Sequence, residues 1–183
     1  MYKFTDAYNY YSKLMKSIEA KKQYYTRTGF KVDGSISPKD WEVFSAVLVD
    51  DFKSPSHKGT DLYRHEVKTA KRNRKKGTKF EYQYHRNYGL TKIDQDKTVD
   101  HIYIIYDKSY DNVEVWLVDK TQMKDTIESF RENVIKAYHM PDVRKEKRCR
   151  NTVADFFVKE RGKLLLEIED GKLKTCSPGA QVS

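Results

Sequence analysis

The apolar positions change rhythm along the chain, and each change marks an element. Tyr8, Tyr11, Met15 and Ile18 recur at helical spacing with Lys and Glu between them, which predicts a helix over 5–25. Residues 29–37 break it, with Asp33-Gly34 as a turn signal. Ser37 then caps a second helix whose first position is Pro38, where a missing N–H costs nothing. Trp41, Phe44, Val47 and Leu48 give that helix one apolar face up to about Asp50, and a Ser/Pro loop follows over 53–58. The rhythm shortens to short strands at 60–63 and 65–69, then to an alternating strand at 80–84. Residues 88–97 read as a loop with a short helix. The clearest strands are 101–106 and 113–118, rich in Ile, Val and aromatics and joined by a hairpin-length loop over 108–112. Met123, Ile127, Phe130, Val134 and Tyr138 mark a long amphipathic helix ending before Pro141. Strand-like runs at 156–158 and 164–168, a turn at Asp170-Gly171 and a frayed tail over 177–183 complete the chain.

This order predicts an α/β fold in which helices flank a central mixed sheet, with strands near 60, 67, 82, 104 and 115. The 183 residues suit one domain. The hydrophobic share of 38% is low, but 14 Tyr and 8 Phe bury large areas each, so a core is within reach. Charge changes the picture more: 36 Lys plus Arg against 27 Asp plus Glu leave +9, which favours encounter with a polyanion. Nucleic acid is the commonest one, although ribosomal and membrane-surface proteins share the bias. Cys149 and Cys176 form no zinc spacing, and His57, His65, His101 and His139 form no metal spacing. No signal-peptide core, membrane-length apolar run or Gly-rich phosphate loop is visible, so a soluble cytoplasmic protein without nucleotide-driven activity is expected.

Candidate chemistry concentrates in Gly59-Thr60-Asp61-Leu62-Tyr63-Arg64-His65-Glu66-Val67-Lys68. If Tyr63 and Arg64 form a tight turn, Leu62 pairs with His65 and Asp61 lies opposite Glu66, about 5 Å away. Lys68, two residues on, points to the same face. Tyr63-Arg64 is poor turn chemistry, lacking Gly or Asn. Two carboxylates, with the Val67 carbonyl as a further ligand, suit Mg²⁺. Such an ion polarises a phosphoryl oxygen and acidifies water. The lysine would stabilise transition-state charge or help deprotonate the water. The same spacing also arises from an ordinary cross-strand Glu–Lys pair on a solvated face.

Asp61 with Glu66-Val67-Lys68 resembles the PD-(D/E)xK nuclease motif, in which an Asp opens one strand and Glu-x-Lys sits on the next. Thr60 stands where the pattern has Pro, and the Asp-to-Glu interval is short, as in mismatch-repair nicking endonucleases. Asp51 is therefore a rival first carboxylate. The order of Glu66-Val67-Lys68-Thr69, a basic stretch, residues 80–85 and the strand at 101–106 is similar to PvuII-like type II restriction endonucleases, over about 60 residues. That resemblance implies a restriction-endonuclease-like core and a Mg²⁺-dependent homodimer cutting double-stranded DNA. It also implies that the aromatic/His strand carrying Tyr82 and Tyr84 enters the major groove, with Gln83, His85, Arg86 and Asn87 reading bases. Gln or Asn pairs with adenine and Arg with guanine.

Lys71, Arg72, Arg74, Lys75 and Lys76 put five cations in six residues, suited to phosphates and next in sequence to the motif. Residues 144–150 read as a solvated basic linker. Glu42 is a candidate extra acid or simply a first-turn Glu. The N-terminal helix, with its Tyr-rich face, is a candidate dimer interface. The alternatives to a restriction enzyme are a structure-selective nuclease using the same three residues, and a non-catalytic nucleic-acid-binding module.

Overall fold

Ser37 starts a helix where its sequence places one: its hydroxyl accepts from Asp40 N–H at 3.2 Å, and the Asp40 carboxylate accepts from Ser37 N–H at 3.0 Å. The structure is a computed structural model describing residues 2–17, 36–55, 59–139 and 148–174. It is an α/β fold in which helices flank a mixed central sheet. In chain order the elements begin with α1 (Phe4–Tyr10), which runs into a π-helical turn (Tyr11–Met15), and α2 (Pro38–Val49). They continue as β1 (His65–Lys71), β2 (Lys79–His85), α3 (Gly89–Asp96), β3 (Asp100–Tyr106), β4 (Val113–Val118) and α4 (Lys120–His139). The last are β5 (Arg148–Ala154), α5 (Asp155–Arg161), β6 (Lys163–Glu169) and β7 (Lys172–Lys174).

The central sheet has the order β1-β3-β4-β6-β7. β1 runs parallel to β3, with Glu66 beside His101 and Lys68 beside Tyr103, and the other pairs are antiparallel. Each face is buried by a different layer. Ala7, Tyr11, Met15, Trp41, Phe44 and Leu48 cover one face, over Val67, Ile102, Ile104 and Val115. Phe80, Tyr82, Tyr84, Met123, Ile127, Phe130 and Val134 cover the other, over Ala70, Tyr103 and Ile105. Cys149 is buried in that second layer. Among the described residues no helix is long and apolar enough to cross a membrane.

Several elements differ from the sequence reading. Residues 60–63 form no strand; Leu62 makes one isolated bridge to Lys53. The strand near 82 pairs outside the central sheet, as a separate ribbon with β5. β5 itself was hidden in what reads as a basic linker, because its inward residues are Cys149, Asn151 and Val153, a weak apolar alternation. Residues 156–158 are helical: only Val158 is buried and Phe156 is exposed, while Asp155 opens the helix and Lys159 and Arg161 close it, as the dipole favours. The Tyr-rich face of the N-terminal helix is spent within the chain. Tyr11 donates to the Tyr110 carbonyl, and Tyr8 donates to the Gly171 carbonyl at 2.8 Å. Residues 18–35, and with them the expected end of that helix and Asp33-Gly34, lie outside the described residues, as do His57, most of 144–150 and Cys176.

Candidate active site

β1 is an edge strand, and its backbone alternates between partners. Arg64 and Tyr106 carbonyls accept from Asp100 and Arg72 N–H at 3.2 and 2.7 Å, so even-numbered residues of this stretch bond to β3. Odd-numbered ones face the free edge: the His65 carbonyl accepts from Leu62 N–H at 2.9 Å, and Val67 N–H donates to Asp61 Oδ2 at 3.1 Å. In a strand the N–H and C=O of one residue point the same way, so the Val67 carbonyl also faces that edge, on the side of Asp61. The Leu62–His65 turn exists despite its poor central residues because it is held from outside. Asp51 Oδ2 accepts from Arg64 N–H at 2.9 Å and sits 2.7 Å from His65 Nδ1. Asp51 thereby leaves the list of first carboxylates: its oxygens are engaged in building the turn. Its acidity is a balance, burial pushing the pKa up while His65 and the Arg64 and Phe52 amides bring it below the usual value.

Asp61, Glu66 and Lys68 come together as the spacing anticipates. Asp61 N–H donates to Glu66 Oε2 at 3.2 Å, and Lys68 Nζ donates to Glu66 Oε1 at 2.5 Å. Asp61 is half-buried and its Oδ1 meets no donor among the described residues. Glu66 is almost wholly buried and points into the layer between the sheet and the β2–β5 ribbon. The sequence reading missed two members. Lys92 on α3 lies 2.8 Å from Glu66 Oε2 and also pairs with Asp96 four residues on. Asp96 is fully buried and accepts from Tyr84 OH at 3.0 Å. Lys92 and Asp96 share a helix face at i,i+4, a signal present in the sequence, but nothing local says that face meets β1. Tyr82 floors the site: its ring is 4.8 Å from Lys68 Nζ, and its hydroxyl is 2.7 Å from both His101 Nδ1 and Tyr103 OH.

Burial and charge divide the acids. Burial and the neighbouring Glu66 push Asp61 up to about 6, against Lys68 and Lys92. Asp96 is pushed up to about 6 by burial and Glu66. Burial pushes Glu66 up too, but Lys68 and Lys92 outweigh it and hold it ionised, well below the usual carboxylate range. Burial favours neutral Lys68, yet Glu66, Asp61 and Asp96 keep it above its ordinary value. As an ammonium beside these carboxylates, Lys68 is suited to stabilising negative charge.

The oxygens of Asp61, Glu66 and Val67 are the hard donors that Mg²⁺ takes, with water filling the remaining positions. Among the described residues no three His, Cys, Asp or Glu side chains stand together as a ready ligand set. A metal ion here would have two carboxylates and a carbonyl to take, in a place where two ammonium groups neutralise Glu66. Glu42 of α2 lines a cleft of about 410 Å³ together with Asp61 and Leu62.

The expected DNA-contacting residues divide in three. Tyr82 and Tyr84 are buried to 1% exposure and face the sheet, which removes them from a DNA surface. Gln83, Arg86 and Asn87 are exposed, and His85 is half-buried, stacked on Tyr88 at 4.8 Å. Lys71, Arg74, Lys75 and Lys76 are exposed, whereas Arg72 pairs with Glu114 at 2.6 Å. This basic loop is adjacent to the motif in sequence and not in space. Glu66 and Lys71 are five steps apart along an extended strand, about 16 Å at 3.3 Å each. No protein-family profile matches this chain, and a search of curated proteins finds no match.

Proposed function

We propose that this protein is a Mg²⁺-dependent endonuclease that hydrolyses DNA phosphodiester bonds, acting in the cytoplasm as a PvuII-like type II restriction endonuclease. The observation that carries this reading is the convergence of Asp61, Glu66, Lys68 and the Val67 edge at one end of β1. Asp61, Glu66 and the Val67 carbonyl would hold the ion, which when bound polarises the phosphoryl oxygen and acidifies water. Lys68, as an ammonium, would offset charge growing on the phosphate. Tyr82 and Glu66 fix its position, and Asp96 keeps Lys92 beside Glu66. The +9 charge and the exposed basic loop favour a polyanionic substrate.

One observation favours a second reading. Two lysines already neutralise Glu66, so the cluster also suits a structural role in a non-catalytic nucleic-acid-binding module. Incubation of plasmid DNA with Mg²⁺, wild type beside Asp61→Asn and Lys68→Ala, separates them. Discrete fragments lost in both variants are expected. Cleavage confined to branched DNA would make the enzyme structure-selective, and no cleavage of any DNA by wild type would leave the cluster structural.

A further inference from the structure

Among the described residues, most exposed large apolar side chains stand on separate elements: Leu14 in the π-helical turn, Val43 on α2, Ile135 on α4 and Phe156 on α5. Phe52 and Tyr63, 77% and 68% exposed, are set against each other instead. Lys53 forms an antiparallel bridge with Leu62; Ser54 N–H donates to the Asp61 carbonyl at 3.1 Å, and Tyr63 N–H to the Phe52 carbonyl at 2.8 Å. That register puts Phe52 directly opposite Tyr63, and directly opposed residues share a face. Asp61, two positions before Tyr63, belongs to the same face by the two-residue period. Leu62 belongs to the other, where it is buried in the layer under α2.

The backbone beneath the two rings is fixed from inside. Buried Asp51 accepts from Phe52 N–H through Oδ1 and from Arg64 N–H through Oδ2, each at 2.9 Å. Each ring is followed in sequence by an exposed cation, Lys53 or Arg64. Lys53 has no ion pair among the described residues. Arg64 Nη2 donates to the Asp50 carbonyl at 2.8 Å, and its Nε lies 3.5 Å from Asp51. The Asp50 carboxylate is taken by Lys3 at 2.7 Å. Phe52 also lines the cleft that Asp61 lines, against Val43, Ala46 and Val47.

Aromatic faces interleaved with cations suit single-stranded nucleic acid, because every base has a π-face to stack and the cations track the phosphates. Tyr63 is about 7 Å along the chain from Asp61 at 3.3 Å per residue, or about two stacked nucleotides at 3.4 Å each. A base on the rings would therefore belong to the strand whose phosphate meets the Asp61–Glu66–Lys68 cluster. We propose that Phe52 and Tyr63 form a stacking platform for unpaired bases of that strand, flanked by Lys53 and Arg64 as phosphate contacts. The inference rests on the DNA reading above and narrows its substrate to DNA with unpaired bases beside the cut.

The test compares two labelled strands of about 20 nucleotides, one oligodeoxythymidine and one fully abasic, which keeps the phosphates and lacks the bases. Anisotropy is read with the full chain in EDTA, so that no hydrolysis intervenes. Wild type is expected to bind the thymidine strand at least about tenfold more tightly than the abasic one. Phe52→Ala/Tyr63→Ala should bring the two affinities within about twofold, and Phe52→Trp/Tyr63→Trp should keep them apart. Phe156→Ala/Ile135→Ala also removes two exposed apolar side chains and should keep the wild-type gap, with thermal melts showing every variant folded. A gap absent from wild type, unchanged in the Phe52/Tyr63 alanine pair, or lost equally in the Phe156/Ile135 control would overturn the platform. An unchanged gap with altered sedimentation would make the two rings a contact between copies of the chain. Wild type that binds duplex but neither strand would overturn the platform and leave the DNA reading standing. Wild type that binds no DNA at any salt would overturn the DNA reading itself.

Discussion

At the scale of single residues, the site is defined by which groups are held charged and which are held neutral. Glu66 and Lys68 are held ionised by each other, whereas His101, paired with Glu66 across β1 and β3, is held neutral. Its Nε2 lies 2.9 Å from the Asp96 carbonyl, which can only accept, so Nε2 carries the proton and Nδ1 accepts from Tyr82 OH. Burial pushes His101 down to about 4, although Glu66 pulls the other way. A depressed folded-state pKa gives stability that is complete above the unfolded value near 6.5 and is lost as pH falls towards 4. Asp61 and Asp96, raised to about 6, act oppositely: the stability they cost at neutral pH returns as pH falls through 6. The wild-type profile sums these, so the His101 contribution must be read as a difference. Between pH 7 and 4, wild type should lose on the order of 3 kcal/mol more than His101→Gln in urea titrations. Parallel profiles for the two proteins would mean that His101 is not held neutral.

At the scale of elements, the turn before β1 separates a structural carboxylate from a candidate catalytic one. Asp51 holds the Arg64 amide and the His65 ring, and Asp61 reaches the Val67 amide while facing Glu66. Asp51→Ala should therefore cost about 2 kcal/mol through unmet buried donors. Asp61→Asn keeps an oxygen for Val67 N–H and removes repulsion from Glu66, so it should cost nothing or stabilise the fold while abolishing cleavage. Equilibrium unfolding beside a plasmid assay checks both, and a reversed pattern would return Asp51 to the site. The sequence showed why Glu66 and Lys68 share a face, because a two-residue period is local, and it showed the capped start of α2 for the same reason. It also brought Asp61 to Glu66, though through a turn whose own residues argue against it. Asp51 supplies what Tyr63-Arg64 lacks, and a contact across fourteen positions leaves no periodic trace. Lys92, Asp96 and the pairing of β2 with β5 were hidden for the same reason. Each depends on which surfaces meet, and the weak alternation of Cys149, Asn151 and Val153 gave no help.

At the scale of the whole molecule, the described fold holds one Asp61–Glu66–Lys68 cluster, so on the proposed endonuclease reading one chain would cut one strand at a time. Cutting both strands at a symmetric site requires two chains related by a matching two-fold axis. Within the N-terminal helix Ala7, Tyr11 and Met15 are packed with Trp41 and Phe44, so a pairing through its described part would use the other side, where Leu14 is exposed. The assembly of such a dimer, in solution or on DNA, would become visible in the topology of the product. With supercoiled plasmid and Mg²⁺, dilute protein should yield nicked circles first, because a lone chain completes one hydrolysis and dissociates. Raising the protein concentration should shift the first product to linear DNA, with the ratio of linear to nicked product rising with protein concentration. Sedimentation with and without duplex would then tell whether the second chain arrives before or after DNA binding. Nicked circles as the only product at every concentration would mean that the protein works as a single chain, and the restriction reading would give way to a nicking or structure-selective nuclease.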